Sequence, residues 1–161
     1  MTPAPFAPAG AHPGLIFMAQ VACEVGPLTS LGPCPSGERR FVPLHGGTVQ
    51  GPELNGQIVP GGVDWQWARA DGVLEIAAHY ALRLHDGALV EVRSEGLRHG
   101  PPEVMARLAQ GQDVPADAYF FRTLMRFTTG APHWAHLNAV MAVASGQRQA
   151  HRVVLDVYRL T

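Results

Sequence analysis

Asp64 stands where a carboxylate could move a proton. It follows the bend Pro60-Gly61-Gly62-Val63 and opens the segment Asp64–Arg69 (DWQWAR), where Asp64 and Gln66 share one face of an extended chain and Trp65 and Trp67 the other. A carboxylate walled by aromatic rings loses hydration, its pKa rises, and it becomes a usable general acid or base. The same side chain could instead cap the glycine turn by accepting from backbone amides, and residue type alone leaves both roles open. A second concentration of charge lies in Leu89–Leu108. There an alternation carrying Glu91, Arg93 and Glu95 runs into Gly96-Leu97-Arg98-His99-Gly100, then two prolines, then an amphipathic helix expected over Glu103–Gln110. Charge at a strand end, against a glycine turn and a helix start, is costly unless it pairs or binds. Arg93, Arg98 and Arg122 all fall in strands or at strand ends. Facing inward, such arginines would grip a carboxylate or an enolate oxygen; facing outward, they would pair with Glu91, Glu95, Glu103 or Asp156.

Other chemistries find less footing. Eight histidines invite a metal, but the two-apart histidine pair of a cupin-type site does not occur, and His133 and His136, three apart, would point to opposite faces of a strand. Cys23 and Cys34 lack the paired spacing of a zinc site, so neither a metal nor another cofactor is expected. Ser145-Gly146 is not part of a Gly-x-Ser-x-Gly elbow, and Gly46-Gly47 and Gly61-Gly62 read as strand bends rather than a phosphate loop. All 12 basic residues are arginine, which excludes lysine Schiff-base and general-base chemistry.

The elements that must position these residues are mostly strands. Leu15–Val25 is a continuous apolar run suited to a first strand, and Gly26–Gly37 reads as a long turn region rich in proline. Strands are expected at Arg39–Val49, Glu53–Val59 and Asp64–Arg69, with bends at the two Gly-Gly pairs. Asp71-Gly72 and Asp86-Gly87 are hairpin signals on either side of Val73–Leu84, whose Leu74, Ile76, Tyr80, Leu82 and Leu84 alternate with Glu75, His79 and Arg83. Leu89–Glu95 follows. After the helix, Asp117–Thr128 places Tyr119, Phe121, Thr123, Met125 and Phe127 on one face and Arg122, Leu124 and Arg126 on the other. His133–Val143 is expected as a strand with Trp134, His136, Asn138 and Val140 in register, and His151–Leu160 as the last. About nine strands joined by hairpins, with one inserted helix, favour a closed antiparallel barrel, since closure removes exposed edges.

Composition agrees. At 47% apolar and 16% charged residues, 161 residues suit one domain with a real core (14–161) behind an N-terminal arm at 1–13. A net charge of −1 gives no footprint for nucleic acid or an anionic membrane, and no segment approaches a membrane span. The start, MTPAPFAPAGAHPG, lacks the basic and apolar regions of a secretory signal, so a cytoplasmic protein with reduced Cys23 and Cys34 is expected, although a disulfide across Gly26–Gly37 is conceivable.

Several runs occur together in fixed order: Gly46-Gly47-Thr48 with Gly51-Pro52, Pro60 to Gln66, Gly96 to Val104, Tyr119 to Thr123, Phe127 to Gly130, Leu137-Asn138, and Val154 to Tyr158. In these the chain resembles the family known as domain of unknown function 3237, or uncharacterised protein family 0311, from about Leu15 to the C-terminus. It departs from the family where Ser94, rather than Asn, follows Arg93. The resemblance implies a small bacterial protein with a closed antiparallel barrel of lipocalin-like style, and implies no activity.

The expected site is a barrel pocket walled by Trp65 or Trp67, Tyr80, Phe121 and Trp134. Asp64 would move the proton and Arg93 stabilise a developing oxyanion, while Arg98, His99, Arg122 and Asn138 complete the ligand contacts. Such a site suits cofactor-independent isomerisation, cyclisation, hydration or elimination of a small keto, phenolic or carboxylic metabolite. The alternatives are a non-catalytic carrier or sensor of a hydrophobic small molecule, and a filled barrel that assembles with itself. The apolar strand Val73–Leu84 makes a homodimer the expected state.

Overall fold

The structure, a computed structural model, describes residues 8–161; of the expected arm, residues 1–7 lie outside the described residues and 8–13 are exposed, without helix or strand. Alternating apolar and polar residues build nine strands: β1 Leu15–Val25, β2 Thr29–Cys34, β3 Gly37–Gln50, β4 Gly56–Ala68, β5 Leu74–Leu84, β6 Leu89–His99, β7 Phe120–Thr128, β8 Met141–Arg148 and β9 Arg152–Leu160. The single α-helix among the described residues, α1 Pro102–Ala109, lies between β6 and β7, with Pro102 in its first turn and Leu108 buried. All neighbouring strands are antiparallel, in the order β1-β9-β8-β7-β6-β5-β4-β3-β2. β1 also pairs with the far half of β3, Leu44–Gln50, which closes eight strands into a barrel and leaves β2 as an extra strand on β3. Closure is tight at Gly47, which has φ +142° and where a Cβ would fall 1.9 Å from the Ala22 carbonyl oxygen.

Both Asp-Gly pairs turn hairpins, with Asp71 and Asp86 carboxylates accepting from the amides of Val73 and Ala88 at 3.1 Å. The Gly-Gly bends appear as register shifts between Leu44 and Gly47 on β3 and between Val59 and Val63 on β4. The core lies inside the barrel and includes the inward residues of β5 (Leu74, Ile76, Tyr80, Leu82, Leu84) and β7 (Phe121, Met125, Phe127).

Four expectations fail. The glycine turn expected after Glu95 is strand, since β6 runs through Gly96 to His99. β2 forms inside the stretch read as a turn, because an edge strand tolerates Gly32 and Pro33, which a central strand would not. The two strands expected at Glu53–Val59 and Asp64–Arg69 are one continuous β4, since its glycines bend the strand without ending it. His133–Val143 is not a strand: Pro132–Ala139 is a 3-10 helix, and β8 begins only at Met141. Pro132 starts that turn, and Trp134 and Leu137, three residues apart, are the pair it buries, which is the 3-10 period rather than the strand period.

Candidate functional site

The strand period sends Asp64 and Gln66 of β4, Tyr80 of β5, Ser94 and Arg98 of β6, Thr123 of β7 and Arg148 of β8 into the barrel, where they line one cavity of about 60 Å³. Its remaining walls are apolar, with Val21, Val25, Val42, Leu44, Ile76 and Leu155 prominent. Val42, Gln66, Arg98 and Arg148 also line a larger chamber of about 420 Å³ at the barrel end, whose outer wall includes Met105, Leu108 and Ala109 of α1. The arginines and Gln66 therefore form a polar waist between a mainly apolar interior and a chamber roofed by the helix.

Bonding at the waist is incomplete. Asp64 Oδ2 accepts from Gln66 Nε2 at 2.7 Å, and Gln66 Oε1 accepts from Arg40 Nε at 3.1 Å. Four buried side-chain atoms among the described residues have no hydrogen-bond partner: Asp64 Oδ1, Tyr80 Oη, Arg98 Nε and Thr123 Oγ1. All four belong to residues lining the same cavity. An orphaned polar atom in an apolar interior costs on the order of 1–3 kcal/mol, so four in one place mark a space that water or a ligand fills. The cavity has room for more than one water.

The electrostatics follow from burial. Desolvation pushes the Asp64 carboxyl up to about 6, against the lowering effects of the Gln66 hydrogen bond and the Arg98 charge. Desolvation, and then repulsion from Arg148, brings Arg98 down to about 10, while Asp64 pulls the other way. Arg148 is lowered, chiefly by desolvation, and burial raises the Tyr80 phenol. The Cys23 thiol, lining the same cavity, is pushed up to about 12 by burial and by the nearby Glu24 and Asp64 carboxylates, so it stays protonated; Cys34 is also free.

Gly146 helps to shape the waist. A Cβ there would lie 2.6 Å from the Phe121 ring, and the Arg98 guanidinium carbon sits 5.5 Å from the centre of that ring. Arg148 is anchored through its own backbone amide, which donates to the Tyr119 hydroxyl at 2.8 Å.

Of the expected site residues, Asp64, Tyr80, Arg98 and the wall residue Phe121 are brought together here. Arg93 is not: it lies on the outer face of β6, its side chain 69% exposed, donating to Glu91, which also meets His79 at 2.7 Å. Trp65 is also outside, 37% exposed, tilted against Phe41 and beneath Arg39. Arg122 projects outward over Phe120, and His99 stacks on the same Phe120 ring at 4.8 Å. Trp134 and Asn138 sit at the opposite end of the barrel, beyond Leu84. There Trp134 donates to Asp86 at 2.7 Å, and Asn138 clips the backbone of Thr129 through both its amide atoms. In each case strand parity or position in the 3-10 helix, rather than residue type, decides the placement. Gln66, Arg40 and Arg148 are the contributors that were not singled out. Arg148 could have been found from Ala142-Ala144-Gly146-Arg148, where small inward residues alternate toward it. No three His, Cys, Asp or Glu side chains converge as a metal site among the described residues.

Fold and site together define a small antiparallel β-barrel with one internal cavity, polar at one end. The chain belongs to the family described as Protein of unknown function (DUF3237), which it matches over residues 13–160. It is 38% identical over 144 residues to the UPF0311 protein of Rhodopseudomonas palustris, covering 89% of this chain and 94% of that one. The crystal structure of that relative matches with a TM-score of 0.91 at 36% identity, covering 94% of this chain and all of the other (100%). A crystal structure from Acinetobacter baumannii, described as a beta-barrel like protein, is 36% identical with a TM-score of 0.82, covering 94% of this chain and 98% of that one. An enzyme from Penicillium herquei shares the fold at 19% identity, with a TM-score of 0.72 over 97% of this chain and 100% of its own.

Proposed function

We propose that this barrel binds a small keto, phenolic or carboxylic metabolite at its polar waist and catalyses a cofactor-independent acid–base reaction on it, of the isomerase, cyclase or lyase type. The observation that carries this reading is the convergence of the four unpartnered polar atoms on one cavity. Asp64 is the proton-moving group: with a pKa near 6 it is largely ionised at neutral pH, and its free Oδ1 has a lone pair to offer. Arg98, with an unused Nε–H and a desolvated guanidinium, stabilises the oxyanion that forms as the proton leaves. Arg98 takes the part that Arg93, on the outer face, has no reach to play. The Tyr80 hydroxyl and Thr123 supply orienting hydrogen bonds to the ligand.

Exchange of substrate protons with solvent tests this without knowledge of the product. Keto acids, aryl ketones and phenols are incubated with the protein in D2O, and loss of the α-proton or ring-proton signal is followed by NMR. Exchange catalysed by the wild type and abolished in Asp64→Asn, with ligand binding kept, is the expected result. Exchange that persists in Asp64→Asn removes Asp64 from the mechanism. The apolar inner walls favour a second reading, carriage without chemistry, in which Asp64→Asn binds as the wild type does and neither protein catalyses exchange.

A further inference from the structure

The positive charge at the waist exceeds the negative. Arg40, Arg98 and Arg148 all border the outer chamber, and Gln66 Oε1 is the one hydrogen-bond acceptor shared with any of them there. Among the described residues no carboxylate lies within ion-pair distance of Arg98 or Arg148, whereas Arg40 has Glu38 only at 4.0 Å. Arg148 Nη1 reaches no better acceptor than the Arg152 carbonyl at 3.5 Å. Arg98 and Arg148 repel one another, and Arg98 keeps a buried Nε–H with nothing to donate to. Asp64 Oδ2 is committed to Gln66 and makes no direct bond to either arginine. Both guanidiniums feel the Asp64 charge, but two partly desolvated cations facing one carboxylate leave positive charge in excess, and their planar forks match a second carboxylate. The chamber beyond them, walled by Leu74, Met105, Leu108 and Ala109, suits an apolar body of modest size.

We infer that the ligand of this site is a small carboxylic acid, bound as its anion, whose carboxylate sits between Arg98 and Arg148 and whose apolar body lies in the chamber under α1. This rests on the proposed function only in using the same site. The acid would enter past the helix, with its carboxylate at the boundary between the chamber and the inner cavity that Asp64 lines.

The test compares charge at constant shape. A graded series of arylalkanoic acids, from phenylacetate to cinnamate and phenylbutyrate, is titrated into the full chain beside the matching primary amides, and binding is followed by NMR and calorimetry. At least one acid is expected to bind about 10-fold or more tightly than its amide. Arg148→Gln should bring acid affinity down to that of the matching amide, and Arg148→Lys, which keeps the charge but loses the fork, should retain part of the preference. Equal binding of acids and amides, or no acid binding at all, overturns the inference. The wild-type comparison alone decides the matter if the Arg148 variants do not fold. Acid binding retained in Asp64→Asn with no proton exchange in the wild type would keep the anion site and reject the acid–base reading, so the two claims fail separately.

Discussion

Asp64 is held between opposing influences: burial favours its neutral form, while Gln66 and Arg98 favour its anion, and burial wins. An unfolded aspartate titrates at about 3.9, so the folded chain holds this proton more tightly. The stabilisation from the protonated carboxyl is whole below about pH 4 and is lost as pH rises through about 6. Asp64→Asn cannot ionise. It is therefore expected to be more stable than the wild type at about pH 8, by on the order of 2 kcal/mol, and to match it near pH 4. Urea denaturation at the two pH values checks this, and an equal loss at both contradicts the burial argument. Proton abstraction needs the ionised form, so the exchange rate should rise with pH and reach half its plateau near 6, with Arg98, Arg148, Gln66, Tyr80 and Cys23 as the groups facing the carboxyl. A rate that is flat across that range places the proton transfer elsewhere.

Strand parity explains both what the elements revealed in the sequence and what they hid. β5 and β7 alternate so regularly that their inward residues were legible, as were the two Asp-Gly turns and the glycine bends. Tyr80 was legible for the same reason, whereas Asp64 stood out by the glycine bend before it and Arg98 by a glycine turn that proves to be the end of β6. The alternation also separated Trp65 from Asp64 and Arg122 from Phe121, and the structure follows it, leaving Trp65 and Arg122 outside. Arg148 was hidden because the strand that carries it was expected to end at Val143; the 3-10 helix at Pro132–Ala139 moves the strand onward to Met141–Arg148. β2 was hidden because its Gly and Pro content is that of a loop, and only pairing with β3 makes it a strand.

Two substitutions separate structure from function at this scale. Asn138→Ala removes the clip on Thr129 and is expected to cost about 1–2 kcal/mol of stability with ligand affinity unchanged, as read by thermal unfolding and titration. Gly146→Ala drives a methyl into the Phe121 ring and should cost about 1–3 kcal/mol, and weaken acid binding through displaced Arg98. Full affinity in Gly146→Ala would show that the waist does not depend on this packing.

Closure of the whole barrel turns the apolar side of Val73–Leu84 inward, so the residues that suggested a homodimer belong to the core instead. On the outside of the β6–β8 region the exposed apolar side chains Leu97, Phe120, Leu124 and Met141 are interleaved with Glu95, Arg122 and Arg126. No helix among the described residues is long and apolar enough to cross a membrane. The fold itself leaves a mainly apolar cavity whose unmet polar atoms run from Arg98 past Thr123 and Asp64 to Tyr80.

The most direct test is an NMR titration of the Asp64 side-chain carboxyl, alone and with the tightest-binding acid of the arylalkanoate series. The account predicts a midpoint near 6 in the free protein and a further rise when the acid is bound, because a second anion at the waist opposes ionisation of the first. A midpoint in the ordinary aspartate range that does not move on adding the acid would contradict it: Asp64 would then be solvated, and the cavity would not be the place where ligand and proton meet.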